Sequence, residues 1–377
     1  MASRTHIRSV EAAIAGLLAV AALVQCTGSS AGAPTHAGLD AASDDGATEA
    51  GVAVDAARDG AEARVDADDA AGSCPDGGVS TELACTGLYQ DIVTKTIAPD
   101  VVAYKPSYVL WSDGAVKSRW IRLPPGTKID TSDMDEWVFP KGTTFWKEFA
   151  VGGQRIETRM LRKRDDGTWS MRTFQWLDGE THATELVSGL RHVDGGTYEI
   201  PPESACNVCH SGRIDTVLGF EAMSLAGPDA TGLTMDELVL RDLVTKAPSA
   251  PLTVPGDAVT KAALVWLHAN CGTACHNASP QSVANFTYMY FRLNVGGLAT
   301  PSVTDTYKTA VNWGSTWQPD DGGTVLRIAA GDPGRSAVVI RASTRDDAQL
   351  IQMPPLVTHL VDDAGVESLK AWILTLH

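Results

Sequence analysis

Four patterns of apolar and polar residues succeed one another along the chain. An apolar run from Ala12 to Val24 follows Arg4 and Arg8. Residues 27–72 carry no apolar periodicity. Residues 103–200 mix or alternate β-branched and aromatic residues in VLWSDGAVKSRWIRLPPGTKI, EWVFPKGTTFWKEFAV and QRIETRMLRKRDDGTWSMRTFQW, cut by Pro-Gly and Asp-Gly turns. That is the mark of antiparallel strands. Six of the ten Trp fall there, at 111, 120, 137, 146, 169 and 176, and predict an aromatic β core. The period then changes to that of amphipathic helices. DAVTKAALVWLHAN (257–270) places Val259, Ala263, Trp266 and Leu267 on one face behind Asp257 as cap. DAGVESLKAWILTL (363–376) has a seam of Val366, Leu369, Ile373 and Leu376, with Asp362 or Asp363 as cap. A shorter helix over 234–246 starts at a Thr234/Glu237 capping box, and another is expected after Pro333.

Charge and composition sharpen the first two segments. The net charge of −16 argues against a nucleic-acid partner. Residues 1–26 read as an export signal, because the apolar run is too short and too Ala-rich to span a bilayer. Cys26 ends that run and is a candidate for lipidation, although Gln25 departs from the small residue expected before it; the alternative is a soluble exported protein. Residues 27–72 hold ten carboxylates against Arg58 and Arg64, a net of −8, with no aromatic residue. Such a segment does not offset its ordering entropy and reads as a disordered connector.

The seven Cys carry the chemistry. Apart from Cys26 they fall in pairs. Cys74 and Cys85 are a disulfide candidate in an oxidising compartment. Cys206 and Cys209 stand in CNVCH, the C-x-x-C-H spacing of covalent haem attachment. Two thiols reach the two vinyl groups of one porphyrin edge, and His210 follows as iron ligand. Cys271, Cys275 and His276 form CGTACH, the same arrangement with one extra residue between the thiols. Four Cys and two His also suit a zinc site, but zinc places no demand on a His directly after the second Cys in both pairs.

The order of helix, CGTACH, QMPPL and final helix over about 251–377 resembles class I cytochrome c. That resemblance implies His276 and Met353 as axial ligands, with Met289 as the other sulfur to consider. The stretch from GLYQDIVTKTIAPDVVAYKPSYVLWSDG through FPKGTTFWKEF and IETRMLRK to CNVCH, WLHANC and MPP resembles a family of bacterial exported dihaem c-type proteins of unassigned activity. FPKGTTFWKEF followed by C-x-x-C-H is also similar to β-sheet cytochromes of the c-prime-beta type, which implies an open or weakly bound distal side. Met223 and His192 are the remaining residues to weigh as a distal ligand at the first site.

The sequence therefore predicts an α+β protein. Its expected parts are 1–26 export signal, 27–72 connector, 73–232 β-rich domain bearing one haem, 233–256 linker with a helix, and 257–377 all-α domain bearing the second. The expected work is electron transfer between other redox proteins outside the cytoplasm, with a membrane lipid anchor if Cys26 is modified. Two alternatives stay open: a peroxidase- or oxidase-like enzyme with the first haem as its open site, and a relay subunit serving a separate dehydrogenase.

Overall fold

The computed structural model describes residue 74 and residues 80–320, 322–346 and 351–377. The expected export signal, Cys26 and the 27–72 connector lie outside the described residues. Cys74 and Cys85 are joined as a disulfide, which closes the loop leading into the first ribbon, β1 (Tyr89–Asp91) with β2 (Thr96–Ile97).

The alternating segments form strands β3 (Val102–Lys105), β4 (Val116–Arg122), β5 (Thr144–Val151), β6 (Gln154–Lys163), β7 (Trp169–Trp176), β8 (Ala183–Glu185) and β9 (Thr231–Gly232). They pair antiparallel in the order β8-β7-β6-β5-β4-β3-β9. Gly152 and Gly153 join β5 to β6, both with positive φ. A two-residue hairpin of this twist needs that conformation at both positions.

Both faces of the sheet are covered. On one, Leu83, Leu88, Trp146, Met160, Phe174 and Trp176 pack together. On the other, Ile121 and Phe145 meet Trp137, Phe139 and Phe220. The rings there meet edge to face, with Tyr104–Phe220 at 4.8 Å and Phe139–Phe145 at 5.2 Å between centroids, the arrangement that ring quadrupoles favour.

Helices α1 (Cys206–His210), α2 (Ala222–Ala226) and α3 (Met235–Leu240) follow the sheet. Thr234 Oγ1 accepts the Glu237 N–H at 3.3 Å and caps α3. Residues 233–256, expected as a linker, put Leu233, Met235, Leu238 and Val244 into the sheet's core. Their apolar spacing buries them, where a free connector would be polar.

Residues beyond 257 supply α4 (Ala258–Leu267), α5 (Asp305–Ala310), α6 (Ala337–Ala342) and α7 (Asp363–Ile373). Isolated bridges Val311–Ile328, Gly314–Leu326 and Leu326–Ser336 tie the irregular chain between α5 and α6. The whole is a mixed α+β fold, and residues 74–377 belong to one compact unit.

Asp257 caps α4 by accepting the Thr260 N–H at 2.8 Å. The buried stripe of α4 is Thr260, Ala263, Leu264 and Leu267, while Val259 is 38% exposed. The stripe is rotated from the sequence expectation because Trp266 is held on the flank. Its Nε1 donates to Asp362 Oδ2 at 2.8 Å, and Asp362 caps α7. A Cβ on Gly365 would lie 1.8 Å from Trp266 Nε1, so the helices approach where α7 has no side chain. The α7 seam of Val366, Leu369, Ile373 and Leu376 is buried as its period predicts, together with Trp372. Among the described residues no helix is long and apolar enough to cross a membrane.

Trp372 is fully buried and Trp313 is 57% exposed. Trp372→Ala should cost about 3–5 kcal/mol in urea unfolding. Trp313→Ala should stay within about 0.5 kcal/mol. Equal losses would mean that the α4–α7 packing is wrong.

Candidate functional site

CNVCH forms the single turn α1, and the i, i+3 spacing sets Cys206 and Cys209 on one side of it. His210 Nδ1 donates to the Thr216 carbonyl at 2.8 Å. That hydrogen bond fixes the tautomer and leaves Nε2 with its lone pair free. Thr216 adopts a left-handed φ of 68°, a conformation that costs a β-branched residue roughly 1–2 kcal/mol. The preceding Asp215 anchors this turn to the sheet. Its carboxylate accepts from Lys163 Nζ at 2.7 Å, the Phe139 N–H at 2.6 Å and Trp169 Nε1 at 2.8 Å.

At the second motif, α4 runs into a π-turn over His268–Gly272. The Cys275 N–H reaches the Cys271 carbonyl at 3.3 Å, and the His276 N–H reaches the same carbonyl at 2.8 Å. The widened turn absorbs the extra residue of CGTACH, and an i, i+4 pair still shares one helical face. His276 is buried, and its ring lies 5.6 Å from that of Phe291. Its Nδ1 faces the Met289 carbonyl but makes no hydrogen bond of good geometry.

The two motifs, 65 residues apart in sequence, meet. The Cys209 and Cys275 thiols lie within interacting reach of each other. A Cβ on Gly212, two residues after His210, would sit 1.8 Å from the Ala274 carbonyl oxygen. Only glycine permits this approach. The interaction with Cys275 draws the Cys209 thiol down to about 7 against the effect of burial, with Arg159 and Lys147 adding to it. The same interaction and then burial push Cys275 up, and burial pushes Cys271 up to about 12.

Both imidazoles are biased toward the neutral form. Burial lowers His210 to about 4, with Lys147 and Arg159 contributing and the Thr216 carbonyl opposing. Burial likewise lowers His276 to about 4, aided by Arg341 and Arg327. Among the described residues no group of three or more His, Cys, Asp or Glu side chains is disposed to hold one metal ion. The four thiols and two imidazoles thus do not close on one point as a zinc site requires.

Behind the contact lies a buried polar network that sequence reading missed. Arg213 Nη1 donates to Glu221 Oε2 at 2.7 Å. His268 Nε2 lies 2.7 Å from Glu221 Oε1, while its Nδ1 accepts the Leu293 N–H at 3.0 Å. Arg292 pairs with Glu136 and with the Asp135 carbonyl. Burial alone would raise the Glu221 carboxyl, but His268, Arg213 and Arg292 together hold it well below the usual carboxylate range. The only sequence signal was a His within the helix that leads into CGTACH.

The other candidate ligands are dispersed. The Met353 N–H donates to the Arg341 carbonyl at 2.9 Å, and Arg341 is one of the cations within reach of His276. No described contact links the Met353 sulfur to that ring. Met289 packs at the edge of the helical core. Met223 is buried in that same core, and His192 is exposed with Nδ1 3.2 Å from the Gly196 carbonyl. No described contact brings either to His210. No family model, curated protein or solved structure matches this chain.

Two outcomes follow from this geometry. Gly212→Ala should destabilise the chain by about 1–3 kcal/mol. Gly296→Ala, whose Cβ meets nothing within 4 Å, should be far milder in the same urea titration. The haem-free chain should also lose stability as pH falls from about 6.5 to about 4. Both imidazoles have lowered values when folded, so the unfolded state binds more protons across that window. The loss is up to about 3 kcal/mol per imidazole, and a flat denaturation midpoint between pH 7 and pH 4.5 would contradict it.

Proposed function

We propose that this chain is an exported dihaem c-type cytochrome that passes electrons between extracytoplasmic redox proteins. The observation that carries this reading is the meeting of two Cys-Cys-His turns, each with unbridged thiols and an imidazole biased toward its neutral form, His276 buried and His210 half-buried. Cys206 and Cys209 would hold one haem, and Cys271 and Cys275 the other. His210 and His276 would be their iron ligands. Haem bound there supplies a one-electron Fe(III)/Fe(II) couple.

The donor set fits the group. The hydrogen bond from His210 Nδ1 to Thr216 orients the ring and leaves Nε2 to coordinate. Met353 would be a further ligand at the second site, because its backbone is tied to Arg341 and a neutral thioether favours reduced iron. Contact between Cys209 and Cys275 makes the two attachment points one unit, which suits a relay better than two independent carriers. The acidic chain would favour a basic partner face. Export rests on residues 1–26 and anchoring on Cys26, both read from sequence.

One observation favours a second reading, a haem enzyme acting at the first site. Among the described residues no contact links Met223 or His192 to His210, and a haem held there without a second protein ligand would suit small-molecule chemistry.

The mass of the mature protein, made with cytochrome c maturation machinery, tests the main reading. Wild type should carry two haem masses, and Cys206→Ala/Cys209→Ala should carry one. Protein with no haem mass and no pyridine haemochrome spectrum would end it.

A further inference from the structure

The sheet face whose Lys147 and Arg159 act on Cys209 and His210 carries an arrangement with no internal explanation. Arg119 on β4 stands directly opposite Lys147 on β5, and Lys147 directly opposite Arg159 on β6. Directly opposed partners in antiparallel strands point to the same face, and like charges so placed are destabilising. Lys117 lies two residues along β4 on that face. Apolar clusters flank the row, with Ile121 and Phe145 on one side and Phe149 and Tyr198 on the other.

The carboxylates nearby are few and committed. Glu157 is fully buried and accepts from Arg159 at 2.5 and 2.8 Å and from Tyr198 Oη at 2.7 Å. Asp113 lies within reach of Lys117, and its carboxylate accepts the N–H groups of His359 and Leu360. Arg119 is 8% exposed, and among the described residues its guanidinium reaches the Lys117 carbonyl of its own strand at 3.4 Å and no carboxylate. The Lys147 ammonium rests over the Phe149 ring, 4.9 Å from its centroid, and among the described residues makes no salt bridge, with Glu157 the carboxylate that acts on it from a distance. Burial and then the neighbouring cations Arg119, Lys117 and Arg159 hold the Lys147 ammonium well below its usual range. An anion bound beside it would restore the charged form of Lys147 and offset the burial of the Arg119 guanidinium.

We infer that Arg119, Lys147 and Arg159 form an anion-binding site beside Cys206, Cys209 and His210 that takes a carboxylate or a small oxyanion. The shared chemistry is a delocalised negative charge offering oxygen acceptors to a row of cationic donors. Two sources supply it: a propionate of the haem carried by the first motif, or a free inorganic oxyanion of the nitrite class entering that site. The inference deepens the haem reading and is tested apart from it.

Full-length wild type, Lys147→Met, Lys147→Arg and Arg119→Gln are first weighed for covalent haem, then titrated with sodium nitrite at constant ionic strength. Thermal midpoint and visible spectrum are recorded for loaded and unloaded protein. Nitrite should raise the midpoint of unloaded wild type and Lys147→Arg saturably. Its apparent affinity should be weaker by about tenfold or more in Lys147→Met and Arg119→Gln. In nitrite-free buffer Lys147→Met should melt higher than wild type, because it relieves the repulsion. Nitrite that also shifts the midpoint and spectrum of loaded wild type assigns the site to a free oxyanion. Nitrite that acts on the unloaded chain alone assigns it to a propionate. No effect on unloaded wild type, or an equal effect on Lys147→Met and Arg119→Gln, overturns the inference. Absence of haem mass defeats the redox reading and leaves the midpoint test of the cationic row intact.

Discussion

The structure turns on a backbone approach that only a residue without a side chain allows. Gly212 lies against the Ala274 carbonyl, and this contact brings the turn after β8 onto the turn after α4. Everything around the site is arranged to hold it. Asp215 ties the first turn to Lys163, Phe139 and Trp169 of the sheet side. Arg213, Glu221, His268 and Arg292 close the space behind both turns with buried charge. Such a network adds little over a well-packed apolar core, yet removing one partner costs about 3–5 kcal/mol because the other is left buried and unpaired. Its use is to fix one relative placement of the two turns.

The sheet contributes in two ways. Its aromatic faces give a rigid base, with Trp146 and Phe174 fully buried on one side and Phe145 and Phe220 on the other. Its register also sets three cations abreast, beside the first Cys-Cys-His turn. The first site thus has a polar, positively charged wall, whereas His276 sits against Phe291 and the helical core. Two Cys-Cys-His turns thus stand in different surroundings. On the haem reading this difference separates the two potentials, since nearby cations and burial both tune iron.

The sequence alone determined the elements whose signal is local. Antiparallel strands followed from alternation, and α7 from a 3.6 period that the fold then buried residue for residue. The paired thiols and their adjacent His were legible because their spacing falls within one turn. Tertiary structure alone decided the rest. Trp266 left the α4 stripe because Asp362, 96 residues away, holds its N–H. The 233–256 segment became core because the sheet offers it an apolar face. The meeting of Cys209 with Cys275 and the Arg119–Lys147–Arg159 row depend on packing and strand register across distant segments. A residue's period and spacing report the turn it belongs to. They do not report which other turn will be pressed against it, because that choice is made by the summed burial and pairing of the whole unit.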